Sequence, residues 1–190
     1  MVTTLYSFCS ETNCADGNAP FGALVQATDG NFYGTTYAGG SYDDGTVFKL
    51  STAGQLTTIY SFCEAGLPTC PDGAAPSTGL IQASDGNFYG TTQYGGSGSI
   101  PDCFGDNCGI IFKITATGTL TPLHDFCHGG KTCPDGFYNV EPLLQATNGN
   151  LYGTTGEGGS DDKDCSAGCG TIYGLSVGLG PFVEANRQPR

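Results

Sequence analysis

The stretch DGNFYGTTYAGG, Asp29 to Gly40, returns as DGNFYGTTQYGG at Asp85 to Gly96 and as NGNLYGTTGEGG at Asn148 to Gly159. Each copy is preceded by LVQA, LIQA or LLQA and followed by GTVFKL, GIIFKI or GTIYGL. Tyr33, Tyr89 and Tyr152 stand 56 and 63 residues apart. Pieces that recur in fixed order mark a repeat architecture, in which a unit buries its apolar surface against its neighbours. Residues common to the copies serve the scaffold, so function is sought where the copies differ.

One unit reads as four strands. No stretch places apolar residues at i, i+3, i+4 and i+7, and β-branched and aromatic residues fill the short runs. Strand A spans Ala23 to Ala27, Leu80 to Ala83 and Leu143 to Ala146. The turns that follow hold Asp29-Gly30, Asp85-Gly86 and Asn148-Gly149, pairs that suit a type I′ hairpin because both its central residues take positive φ. Strand B spans Asn31 to Thr36, Asn87 to Thr92 and Asn150 to Thr155. Strand C spans Thr46 to Leu50, Ile110 to Ile114 and Thr171 to Leu175, and strand D spans Leu56 to Phe62 and Leu120 to Phe126. Thr3 to Phe8 carries the pattern of a strand D without the rest of its unit, and the third unit has none.

Four antiparallel strands per repeat predict an all-β, β-propeller-like array of three four-stranded blades. The units are residues 3–55, 56–119 and 120–175, followed by a C-terminal tail at 176–190. Propellers close with about four to eight blades, so three leave an open arc or a piece of a longer array. Alternatively, two copies exchange end strands and close a six-bladed homodimeric ring.

Ten cysteines fall into close pairs: Cys9/Cys14, Cys63/Cys70, Cys103/Cys108, Cys127/Cys133 and Cys165/Cys169. Five local disulfides are the simplest connectivity, and no CxxC favours the alternative of zinc. Disulfides place the protein in an oxidising compartment, as a secreted or cell-surface protein. The start MVTTLYSF lacks the pattern of a signal peptide. The net charge of −12 argues against nucleic acid and against anionic membrane surfaces, and no apolar run is long enough for membrane insertion.

Within a blade the A–B and C–D turns share one end, while the B–C loops and D–A connections share the other. The first set is short and uniform; the second is long, variable and holds every cysteine. Of 18 acidic residues only Asp29 and Asp85 sit in the short turns, and Glu184 is in the tail. A rigid scaffold that presents variable loops on one side is how binding sites are usually built. That side is expected to meet glycans, cationic partners or another extracellular protein.

Particular residues follow from this sidedness. Asp161, Asp162 and Asp164 offer clustered oxygens that suit Ca²⁺, with solvated acidic loop as the plainer reading. Tyr37, Gln93, Tyr94 and Glu157 lie where the copies diverge after YGTT, and side chains there can stack on and hydrogen-bond a saccharide. Glu64, Glu141 and Glu157 are the glutamates available to a glycoside hydrolase or polysaccharide lyase, which works with paired carboxyl groups. A purely structural spacer is the third reading. Tyr33, Tyr89 and Tyr152 read as core tyrosines, Asp16, Asp72 and Asp135 as turn formers, and His124 as a packing position.

The ordered set DGNFYGTT, GG, GTVFKL and YSF, with a DG and P before each LVQA-like run, resembles the GloVer-type tandem repeat. Asp29, Gly30, Tyr33, Gly34, Thr35 and Thr36 carry the likeness, with their counterparts in the second unit. The third unit departs at Asn148, Leu151, Tyr173 and Gly174. The resemblance implies a secreted, surface-anchored bacterial protein of the choice-of-anchor kind built as a propeller-like array, and it implies no particular activity.

Overall fold

A computed structural model describes residues 1–65, 70–97, 108–128, 133–139, 141–159 and 168–182. The described residues form three antiparallel sheets of four, four and three strands. Blade 1 holds β1 (Val25–Gln26), β2 (Phe32–Thr36), β3 (Thr46–Leu50) and β4 (Leu56–Ser61). Blade 2 holds β5 (Ile81–Gln82), β6 (Phe88–Thr91), β7 (Ile110–Ile114) and β8 (Leu120–Asp125). Blade 3 holds β9 (Leu144–Gln145), β10 (Leu151–Thr155) and β11 (Thr171–Leu175). Each sheet keeps its strands in chain order, as a propeller blade does. A single 3-10 turn, Thr12–Cys14, is the only helix among the described residues, and no helix there can cross a membrane.

Strands β3 and β7 are buried on both sides, which is why their sequences read as apolar runs without alternation. The glycine of the FYGTT motif makes this packing fit. A Cβ at Gly34 would lie 2.7 Å from the Phe48 ring and 2.9 Å from Leu24, and one at Gly90 would lie 2.8 Å from both Leu80 and Phe112. Between blades, Tyr33 stacks on Phe88 with ring centroids 4.1 Å apart. Strand A of every blade faces one shared cleft of 380 Å³, lined by Val25, Ile81 and Leu144, with Phe182 of the tail at its edge. The blades are therefore arranged around an axis, with strand A innermost.

The structure corrects one reading of the sequence. The A–B turns are not type I′. Gly30, Gly86 and Gly149 have positive φ, whereas Asp29, Asp85 and Asn148 do not. The Gly30 N–H donates to the Ala27 carbonyl and the Ala27 N–H to the Asn31 carbonyl, which closes a three-residue hairpin. The aspartate is selected as an acceptor instead: Asp29 takes the Asn31 N–H at 3.0 Å. Thr3 to Phe8, which has the sequence of a strand D without the rest of its unit, pairs with no strand among the described residues. Blade 3 has three strands among the described residues, in line with a third unit that shows no strand D.

Gly45, Gly109 and Gly170 open strand C with φ of +96°, +86° and +85°, and a Cβ on each would overlap the carbonyl oxygen of Thr36, Thr92 or Thr155. At Gly86, φ is also positive but nothing lies within 4 Å. Gly109→Ala is therefore expected to cost about 2–3 kcal/mol or more and Gly86→Ala only about 1 kcal/mol. Thermal unfolding of the two variants side by side measures the difference.

Candidate functional site

The loop end is assembled by backbone hydrogen bonds that repeat in every blade. The carbonyl of the second cysteine in each D–A connection accepts two glycine N–H groups. Cys14 takes Gly17 and Gly40, Cys70 takes Gly73 and Gly96, and Cys133 takes Gly136 and Gly159, at 2.8–3.1 Å. The first glycine belongs to the connection itself and the second to the B–C loop. Bridges Asn18↔Ala38, Ala74↔Tyr94 and Phe137↔Glu157 complete the seam. The two loop types therefore form one layer on one end of the array.

Disulfides close these connections. Cys9–Cys14, Cys63–Cys70 and Cys127–Cys133 are bonded, as their spacing predicts. Cys108 and Cys169 are also disulfide-bonded, and their expected partners Cys103 and Cys165 lie outside the described residues. Sulfurs of Cys108, Cys127 and Cys133 lie within 4.8 Å of one another. They do so as disulfide sulfurs, so the group is not a thiolate metal site.

Each connection is pinned by its aspartate. Asp16 accepts the Tyr6 hydroxyl at 2.8 Å and the Ser10 N–H at 3.0 Å. Asp72 accepts the Tyr60 hydroxyl at 2.8 Å and the Cys63 N–H at 2.9 Å. Asp135 meets His124 Nε2 at 2.8 Å and accepts the Cys127 N–H at 3.2 Å. His124 thus takes over the tyrosine's partner. The aspartates do more than form turns, since they tie the end of strand D to the loop layer. Burial opposes ionisation of Asp16, but hydrogen bonds from the Ser10 N–H, the Tyr6 hydroxyl, the Ser10 hydroxyl and the Glu11 N–H outweigh it and hold the carboxyl down at about 2. Burial raises the Tyr60 hydroxyl, helped by its bond to Asp72 and by the charge of Glu64.

The sequence-predicted ligand residues lie along the seam in separate blades. Tyr37 donates its N–H to the Ala19 carbonyl, and its ring sits 5.7 Å from that of Phe21. Gln93 is buried and donates its N–H to the Ala75 carbonyl. Tyr94 packs on the Cys63–Cys70 disulfide, and Glu157 pairs through its backbone with Phe137. Glu141 is exposed in the connection before blade 3. Asp161, Asp162 and Asp164 lie outside the described residues. Tyr33 and Tyr89 are core tyrosines whose hydroxyls donate to Asp29 and Asp85 at 2.9 Å.

Glu64 is the candidate that shares a cavity with a second carboxylate. A broad, mostly polar groove of 550 Å³ runs along β4, lined by Glu11, Ser41, Tyr42, Tyr60 and Glu64. Three separate loops supply it. Glu11 comes from the first connection, Tyr42 from the B–C loop of blade 1, and Glu64 from the second connection. All three side chains are exposed. Sequence reasoning passed over Glu11 and Tyr42. The available signal was position, because Glu11 and Glu64 each follow the first cysteine of a pair.

The Asp16 carboxyl is more acidic folded than its ordinary 3.8, so it favours the folded state above about pH 4 and that gain disappears as pH falls through about 2. It is worth about 2 kcal/mol at neutral pH. The Ser10 amide proton resonance should titrate near 2. Asp16→Asn should lose about 2 kcal/mol at neutral pH and match the parent in strong acid, measured by denaturant unfolding at each pH.

Comparison with curated proteins returned no match. Among solved structures, the chain is similar to one assigned as a gluconolactonase, at 17% identity and a TM-score of 0.40, over 82% of this chain and 48% of that one. The chain thus spans about half the length of that protein. The blade assignment stands on the sheet order and the repeated seams of this structure. The sequence model of the Gloeobacter/Verrucomicrobia repeat matches residues 1–182, in agreement with the motifs that resemble GloVer repeats. This chain belongs to the Gloeobacter/Verrucomicrobia repeat family.

Proposed function

We propose that this propeller-like module is an extracellular binding domain whose disulfide-held loop end takes a cationic partner, with the groove of Glu11, Tyr42 and Glu64 as its centre. The observation that carries the reading is the convergence of three loops on one exposed groove holding two carboxylates. Disulfides at Cys9–Cys14 and Cys63–Cys70 flank two of those loops. They reduce the ordering that binding would otherwise require. The net charge of −12 raises the local concentration of cations and speeds their encounter with this end. Exposed Tyr42 supplies a ring face for a lysine or arginine side chain, or for the apolar face of a sugar.

Oxidised cysteines support an extracellular setting, and adhesion to a basic protein or to a glycan coat fits such a place. A calcium ion at the acidic B–C loops would add to this reading.

Calorimetric titration with a lysine-rich peptide, beside a neutral glycan array, tests the proposal. Binding is expected to weaken with added salt and to fall about tenfold or more in Glu11→Gln/Glu64→Gln. Equal binding by the double variant would remove the groove. Salt-independent binding to a neutral glycan would replace the cationic partner with a saccharide.

A further inference from the structure

Two junctions join the three blades, and the same repeat positions build both. At the first, Tyr33 and Val47 of blade 1 pack with Leu80 and Phe88 of blade 2. At the second, Tyr89 and Ile111 pack with Leu143 and Leu151. A strand-D phenylalanine lies over each seam: Phe62 on Phe112 with centroids 5.3 Å apart, and Phe126 on Tyr173 at 5.2 Å. Near the axis a glutamine completes the contact. Gln82 Oε1 accepts the Thr28 N–H and Gln145 Oε1 the Ser84 N–H, both at 2.9 Å.

The outer faces of blades 1 and 3 carry the two halves of a third junction. Ile172 stands where Val47 and Ile111 stand, yet it is 83% exposed while they are 0% and 1% exposed. Leu24 stands where Leu80 and Leu143 stand, at 52% exposure against 4% and 3%. Leu24, Phe48 and Leu50 line a largely apolar groove of 340 Å³ on blade 1. Phe8 already covers Phe48 at 5.0 Å, as Phe62 covers Phe112. The outer edge of β11 has no neighbour among the described residues. The Thr147 N–H and Gln26 Oε1 repeat the axial donor and acceptor, one at each end, and neither pairs within the described residues. Capping faces of repeat arrays are polar, whereas these two blade faces expose Leu24 and Ile172.

We infer that blade 3 of one copy docks on blade 1 of a second copy, continuing the interface that already runs twice through the chain. Thr3 to Phe8 of the second copy then lies along β11 as the fourth strand of blade 3. The register follows from Val47↔Tyr60 and Lys49↔Thr57 in blade 1. Ile172 faces Tyr6 of the second copy, and Gly174 faces its Thr3. The contact is head-to-tail, and such contacts form rings where the rotation closes. Two arcs of three give six blades, inside the range that propellers use.

Light scattering on the 190-residue chain of 19.5 kDa, kept oxidised at micromolar concentration, tests this. The expected result is a particle of twice the chain mass. Ile172→Asp and Leu24→Asp alter exposed side chains and should each weaken association at least about 100-fold, to monomer, with the circular dichroism of the parent. Ile172→Val should stay dimeric. As a readout that needs no variant, the amides of residues 171–175 should exchange slowly in the dimer. A monomeric parent, a dimer that both aspartate variants leave intact, an open polymer, or fast exchange along β11 in a dimer would each overturn the ring.

Discussion

Ring-on-ring contact between Tyr33 and Phe88, 4.1 Å between centroids, is the packing on which the blade order depends. Both residues come from strand B, in adjacent blades, and both are buried. A sheet of short strands cannot bury two apolar faces by itself, so each blade is stable only beside another. The glycine after each tyrosine follows from the same need. Removing the side chain at Gly34 and Gly90 lets the Phe48 and Phe112 rings lie against the sheet, with Leu24 or Leu80 on them. Had a larger residue stood there, strand C could not carry an aromatic at that position. The motif FYGTT is therefore a packing device, and it says little about ligands.

Much of this was legible in the sequence. The repeat gave the blade count and the positions of all eleven strands among the described residues, with no strand D after the third strand C. Local cysteine pairing followed from spacing alone. Turn geometry was misread at Asp29-Gly30, because a dipeptide that suits a type I′ turn also suits a three-residue hairpin in which only the glycine has positive φ. The choice was made by Asp29, which holds the Asn31 N–H and the Tyr33 hydroxyl at once. Such a preference rests on contacts that a two-residue window does not contain.

The site was less legible for a related reason. Of the residues that diverge after YGTT, Gln93, Tyr94 and Glu157 bond through their backbones to the neighbouring connection. Glu11, Tyr42 and Glu64 are far apart in sequence; the Cys14 carbonyl joins the first connection to the B–C loop, and the Phe62 N–H, donating to the Gly45 carbonyl, ties the start of the second connection to that same loop. Likewise, His124 looked like drift from tyrosine, yet it keeps the tyrosine's partner, Asp135, at 2.8 Å. The repeated feature is the bond to the aspartate, and either side chain can make it.

At the turn end of the array the charges are matched within the blade. At the turn end Asp29 is matched by Lys49 at 3.0 Å, and Lys113 helps to hold the Asp85 carboxyl below its usual range after its bonds from Asn87 and Tyr89. In blade 3 both charges are gone together. Asn148 replaces the acid, and Gly174, opposite Tyr152 in the register, replaces the lysine. An unmatched aspartate would be tolerated at so exposed a turn, so the joint loss is best understood through the tyrosine: the lysine lies over its ring, 5.5 Å from the centroid in blade 1. When Tyr173 replaces the strand-C phenylalanine and its hydroxyl turns to Asn139, the Tyr152 hydroxyl needs only a neutral partner, which Asn148 supplies. The turn end is thus kept close to neutral blade by blade.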